Sequence, residues 1–132
     1  MEFAYVTEPI IRCALKVHNT LGPGLLESAY QKCLAYEFRK QGIIFEQQKI
    51  LPLQYDGLEL DCGYRLDFVV QQTVILEVKS VDRLLPIHDA QLLTYMRLCN
   101  MPVGLLLNFN VPLLRDGIRR LLLPRTHTEE RR

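Results

Sequence analysis

Apolar residues recur along this chain with two different periods, and the change from one to the other divides it. From Thr7 to Leu21 the spacing is helical: Ile10, Ile11, Ala14, Leu15, Val17, His18 and Leu21 form one broad stripe, with Thr7 placed as N-cap and Pro9 in the first turn. Gly22-Pro23-Gly24 interrupts the pattern. "LLESAYQKCLAYEFRKQG" then reads as a second helix, apolar at Leu26, Ala29, Tyr30, Cys33, Leu34 and Phe38, with Lys40 near its end and Gly42 beyond it. After Gly42 the period shortens to that of a strand. "IIFEQQKILPLQY" is expected to form one strand, at an edge or bulged at Pro52. Asp56-Gly57 is a hairpin turn. "LELDCGYRLDFVV" is expected to be a second strand bulged at Gly63, and "QQT" turns the chain into a third, "VILEVKS". A helix is predicted over 87–98, ended by "NMP". "VGLLLNF" is apolar enough for a central strand. "VPLLRDGIRRLLLP" fits a short strand or a helical turn packed over the sheet. The order of helix, helix, three strands, helix and strand specifies a compact α/β unit with a mixed sheet.

Composition narrows the class without naming a task. The 132 residues suit one domain, expected over 1–125 with a flexible tail at 126–132, and they are enough to bury a core without staples. A formal net charge of +1 neither demands nor excludes a nucleic-acid partner. The four cysteines, Cys13, Cys33, Cys62 and Cys99, form no CxxC pair and read as buried thiols in a reducing compartment rather than as a zinc site. "MEFAYVTEPI" has no basic and apolar leader pattern, and no apolar run reaches the ~20 residues of a membrane span. The expectation is a cytoplasmic protein with no membrane partner. "GPG" lacks the spacing and the preceding strand of a dinucleotide-binding loop, which argues against a small-molecule oxidoreductase.

Three charged positions interrupt what otherwise reads as sheet core. In "VILEVKS", Ile75, Glu77 and Lys79 share one face; in "YRLDFVV", Arg65, Asp67 and Val69 share one. A hairpin joining these strands brings both carboxylates to one face, among branched apolar neighbours. Burying them is costly unless they are paired, hydrogen-bonded or bound to metal. A divalent cation relieves their repulsion, and hard oxygen ligands suit magnesium or manganese. An ordinary ion pair of Asp67 or Glu77 with Lys79 or Arg65 on a wet face accounts for the same residues. On the helices, Glu27 follows the breaker with Tyr30 one turn on, and Gln91 and Tyr95 share a face; first-turn acid, partly buried tyrosines and polar filler are the plain alternatives. His88 fits a helix cap or a phosphate contact, and Asp89 a first-turn acid.

Taken together, these segments resemble a known family. "GPGLLESAY" resembles the GxxExxY signature through Gly24, Glu27 and Tyr30, and Asp67 with the "ExK" of Glu77 and Lys79 resembles the core of the PD-(D/E)XK nuclease superfamily. "HDAQLLTYMRL" resembles the QxxxY helix of its RecB-like and Holliday-junction-resolvase-like branches, and "PVGLLLNFNVPLLRDGIRRL" the tail of GxxExxY proteins. The resemblance spans about Ile10 to Leu122; "RLD" stands where a Pro-Asp pair would precede the ExK. It implies a restriction-endonuclease-like α/β core, a central mixed four-stranded sheet flanked by helices in αβββαβ order, with an extra N-terminal helix. It implies Mg2+, with Mn2+ as substitute, held by Glu27, Asp67 and Glu77, with Lys79, Gln91 and Tyr95 completing a catalytic set. The implied function is metal-dependent hydrolysis of phosphodiester bonds in nucleic acid, DNA before RNA. The alternative is a catalytically weak or inactive module of the same fold that binds nucleic acid or a protein partner. Arg65, Arg83, His88, Arg115, Arg119 and Arg120, with Arg125 beyond them, are the candidate backbone contacts, positioning phosphates without reading bases. Since the chain has no dedicated recognition motif, a homodimer or a protein partner is expected to supply the remaining grip.

Overall fold

The computed structural model describes residues 2–124. Helix α1 spans Ala4–Leu21 and so starts before Thr7. The Thr7 hydroxyl donates to the Phe3 carbonyl at 3.3 Å from within the first turns, bonding back along the helix instead of capping it. Burial explains the longer start: Val6 is in the core and Phe3 packs against it, so the preceding turn gains contacts by staying helical. Pro9 lies inside the helix. Helix α2 spans Glu27–Lys40, and its buried residues Tyr30, Leu34, Ala35 and Phe38 face α1 and the sheet.

Two expected strands are each divided. β1 (Phe45–Ile50) and β2 (Leu53–Tyr55) separate at Leu51-Pro52, and β3 (Leu58–Leu60) and β4 (Arg65–Val70) separate around Gly63, which has φ +83. β2 and β3 pair only with each other, as a small hairpin apart from the main sheet. Its turn is the one the sequence specifies: Asp56 and Gly57 both take positive φ, as a type I′ turn demands. Proline and glycine therefore mark breaks between sheets and not bulges within one. After β5 (Val74–Lys79) come α3 (Pro86–Cys99), β6 (Val103–Asn108), a 3-10 turn at Leu114–Gly117 and β7 (Ile118–Leu122).

The main sheet runs β1-β4-β5-β6-β7. β5 and β6 are parallel through the α3 crossover, and the other pairs are antiparallel. The succession α2, β1, β4, β5, α3, β6 is the expected αβββαβ core with α1 added before it, and β7 extends the sheet by a fifth strand. One face packs Phe68, Val70, Leu76, Val78, Leu105 and Leu107 under α1 and α2. The other packs Val69, Ile75 and Leu106 under Leu92, Tyr95 and Met96 of α3. Of the cysteines only Cys13 is fully buried, Cys62 is exposed, and all four are free thiols. Among the described residues no helix is long and apolar enough to cross a membrane.

Candidate active site

The β4–β5 ladder is regular at Val70↔Val74, Val69↔Ile75 and Phe68↔Leu76, and stops there. Continuing that register sets Asp67 opposite Glu77. At this step the carboxylates take over from the backbone. The Asp67 N–H donates to Glu77 Oε2 at 2.9 Å, and the Val78 N–H donates to Asp67 Oδ2 at 2.8 Å. Each acid thus bonds a main-chain amide of the strand that carries the other. The amides satisfied in this way no longer need a partner strand, so β4 and β5 can part without leaving buried donors unpaired.

Burial dominates the electrostatics. Glu77 is 6 % exposed, and desolvation together with the neighbouring Asp67 charge pushes its carboxyl up to about 8. Desolvation also raises Asp67, against the opposing pull of the Val78 amide and of Lys79. Burial, followed by the nearby Glu77 charge, raises Tyr95. The plain ion-pair reading of these acids does not hold among the described residues. Arg65 pairs with Asp61 at 3.3 Å, and Asp67, Glu77, Glu27 and Lys79 enter no ion pair.

Glu27 arrives from the opposite face of the sheet. As the first residue of α2 it reaches the end of β5, where its Oε2 accepts from the Ser80 N–H at 3.3 Å. The Ser80 hydroxyl donates to the Leu25 carbonyl at 2.7 Å and closes the same junction. Tyr30 sets the loop that delivers Glu27. Its buried ring stacks on Phe109 with centroids 4.4 Å apart, and its hydroxyl donates to the Gly22 carbonyl at 2.6 Å while accepting from the Leu25 N–H at 3.2 Å. The Glu and the Tyr of the motif therefore have different duties: Glu27 points to the site, and Tyr30 braces the turn behind it.

The expected three-carboxylate metal cluster is not assembled. Among the described residues no group of three or more His, Cys, Asp or Glu side chains comes together to hold a metal ion. The physical reason is visible in the bonding. Asp67, Glu77 and Glu27 each commit one oxygen to a backbone amide, on three separate residues, and these bonds offset part of their mutual repulsion without a cation. As a closed site for magnesium the residues do not fit.

On α3, Tyr95 is buried toward the acids, whereas Gln91 is exposed one turn earlier. The six candidate backbone contacts do not form one stripe. His88 caps α3, accepting from the Leu85 N–H at 2.9 Å through Nδ1. Arg119 is held by Asp89 at 2.5 Å, while Arg120, adjacent on β7, reaches across to the Glu2 carbonyl near α1. Alternation along a strand sends such neighbours to opposite faces. Arg83 and Arg115 are exposed. Arg125 and the expected tail at 126–132 lie outside the described residues.

Two residues near the acids carry no signal in the sequence. Gln48 sits opposite Asp67 between the pairs Gln47↔Phe68 and Lys49↔Leu66, with φ +53, a left-handed conformation that costs a non-glycine residue about 1–2 kcal/mol. Its Nε2 donates to Gln31 Oε1 at 2.7 Å, one turn after Glu27 on α2. It ties the helix of one acid to the strand beside another. Asn108, level with Lys79 on β6, holds the chain beyond β5 through both Val81 backbone groups, at 3.1 and 2.9 Å. A glutamine among other glutamines and an asparagine ending an apolar run look like ordinary polar residues, and only cross-strand neighbours show otherwise.

The comparisons agree with this architecture. A family model described as the PD-(D/E)XK nuclease superfamily matches residues 4–121. The chain belongs to that superfamily. No curated protein and no solved structure matches it. In this PD-(D/E)XK protein Asp67 of β4 and Glu77 and Lys79 of β5 lie where the pairing of the two strands stops.

Proposed function

We propose that this PD-(D/E)XK protein is a nucleic-acid-binding module with weak or absent hydrolysis in its free state. One observation carries the reading. The Lys79 ammonium ends β5 without an ion-pair partner among the described residues, beside carboxylates that are bonded to backbone amides and not gathered around a cation position. An ammonium not locked into an ion pair with its neighbouring carboxylates is open to a phosphate. Exposed Arg83 and Arg115 would add backbone contacts. DNA is the favoured ligand, as the superfamily generally acts on nucleic acids. A second copy of the chain or a separate protein would extend the grip, since Arg119 and Arg120 are already engaged within the fold.

Metal-dependent phosphodiester hydrolysis is the second reading, and the buried pair of Asp67 and Glu77 favours it. Magnesium is commonly held by one or two carboxylates plus the substrate's own phosphates, not by an all-protein cage. Asp67 and Glu77 would be its ligands, with Glu27 in reserve, and Mn2+ would substitute.

A single assay separates the two. Fluorescence anisotropy with single-stranded, duplex and branched oligonucleotides, DNA and RNA, is run in EDTA and again with magnesium or manganese. The same tubes are followed for cleavage. The proposal expects binding in EDTA that Lys79→Ala weakens several-fold and Glu77→Ala does not. Metal-dependent cleavage lost in both variants would establish the second reading instead, and no binding by the wild-type protein would sink both.

A further inference from the structure

Beside the acids lies a cleft with different chemistry. It has a volume of about 380 Å³ and runs between α3 and the segment leading into β4. Leu51, Leu53, Tyr64, Ile87, Gln91 and Tyr95 line it. Its floor is buried Leu51, and Tyr64 and Ile87 stand at its walls with about half and two thirds of their surface exposed, 47 % and 67 %. The Tyr64 and Tyr95 rings meet with centroids 6.2 Å apart at 59°. The Tyr64 backbone is fixed, since its carbonyl accepts from the Leu51 N–H at 3.1 Å, so the ring is presented on a firm support. Among the described residues no charged side chain lines the cleft.

These features select an occupant. The absence of charge disfavours a phosphate or a carboxylate inside. The volume is in the range of small-ligand sites. Aromatic and branched walls suit a flat apolar ring, and the Gln91 carboxamide at the rim offers both a donor and an acceptor to the edge of such a ring. Tyr95 lines the cleft and packs with Val69 and Ile75, which share a sheet face with Asp67 and Glu77, so the cleft opens on the face that carries the acids.

We propose that the cleft between Tyr64 and α3 receives one unstacked nucleobase of the bound nucleic acid, so that the ligand class is nucleic acid with unpaired nucleotides, a tail, flap or junction, and not blunt duplex. The base lies against Tyr64 with its edge toward Gln91. Base-on-aromatic stacking is tolerant of sequence, which matches a cleft whose polar side chains are Gln91 and Thr94, the latter's hydroxyl already donating to the Ala90 carbonyl. The inference rests on the nucleic-acid-binding reading above.

The test compares a blunt DNA duplex with the same duplex carrying a short single-stranded tail, by anisotropy in EDTA, for wild type, Tyr64→Ala, Tyr64→Phe and Lys79→Ala. The expected result is tighter binding of the tailed duplex by the wild type. Tyr64→Ala should lose about tenfold on the tailed duplex, the effect of deleting one stack, and little on the blunt one. Tyr64→Phe should retain the preference, and Lys79→Ala should weaken both ligands. Equal affinity of the wild type for tailed and blunt duplex, or a Tyr64→Ala loss shared by both, would overturn the cleft while leaving nucleic-acid binding intact. No binding of either duplex would overturn the cleft together with the reading beneath it.

Discussion

Glu77 is the residue at which burial, charge and function meet. Its folded-state carboxyl titrates near 8 because burial removes water and Asp67 adds a like charge, so the folded protein keeps a proton that the unfolded chain has lost. Between the ordinary value of 4.5 and about 8 the native state binds more protons than the unfolded state. Stability must therefore fall as pH rises through that window. Urea denaturation in EDTA should show a loss of a few kcal/mol from pH 5 to pH 8, at about 1.4 kcal/mol per pH step of full protonation difference. Glu77→Gln should flatten the profile and be the more stable variant at pH 8; an unchanged slope would mean that Glu77 is ionised in the fold. Tyr30 offers a second test. Tyr30→Phe keeps the stack on Phe109 but removes the hydroxyl that serves Gly22 and Leu25, and should cost about 1–3 kcal/mol in the same measurement. The types of these residues and their places in the motif were legible in the sequence. The division of duties between Glu27 and Tyr30 was not, because it depends on a loop and on Phe109, which lies far along the chain.

Elements hold these residues through a few close approaches. Gly104 on β6 lies under α3, and an added Cβ would come within 2.6 Å of Met96 Sδ and 2.8 Å of Leu92. Gly104→Ala should cost about 1–3 kcal/mol by overpacking and should disturb Tyr95, next to Met96. Near-ultraviolet circular dichroism and denaturation would report both effects; a neutral substitution would show that α3 can shift freely. Helices and strands with clean periodicity were readable, including α3 and β6. The divided strands were less so. Alternation is a local property, and it does not say whether the next segment pairs with the same sheet. Leu51-Pro52 and Gly63 permit either a bulge or a departure, and the pairing of β2 with β3 alone is what makes it a departure. β7 had the same ambiguity: "IRRLL" is short, and only the free side of β6 makes it a strand.

At the level of the molecule, two cores on opposite faces clamp a sheet whose central strands open at one end. The acids stand where backbone pairing stops, and this sets how cations should behave. Calorimetry with Mn2+ on the free protein should show weak uptake, strengthening as pH rises past 8, since the Glu77 proton must leave before its carboxylate can bind. Uptake that ignores pH would place the ion elsewhere. The nucleic-acid surface is set at this level too. The arginines that looked like one basic segment are shared between the two faces by strand alternation, and two of them are spent on Asp89 and on the Glu2 carbonyl.

The sequence by itself determined the class of fold, the order of its core elements and the residue types of the site, since periodicity, turn chemistry and a short acidic motif are properties of neighbours along the chain. The tertiary structure alone decided that Asp67 and Glu77 bond each other's strand, that Glu27 rests on Ser80, that Lys79 has no ion pair among the described residues, and that an uncharged cleft opens beside Tyr64. Those outcomes depend on register, on where a ladder ends and on which amide is left without a backbone partner. Such quantities are fixed when distant segments meet.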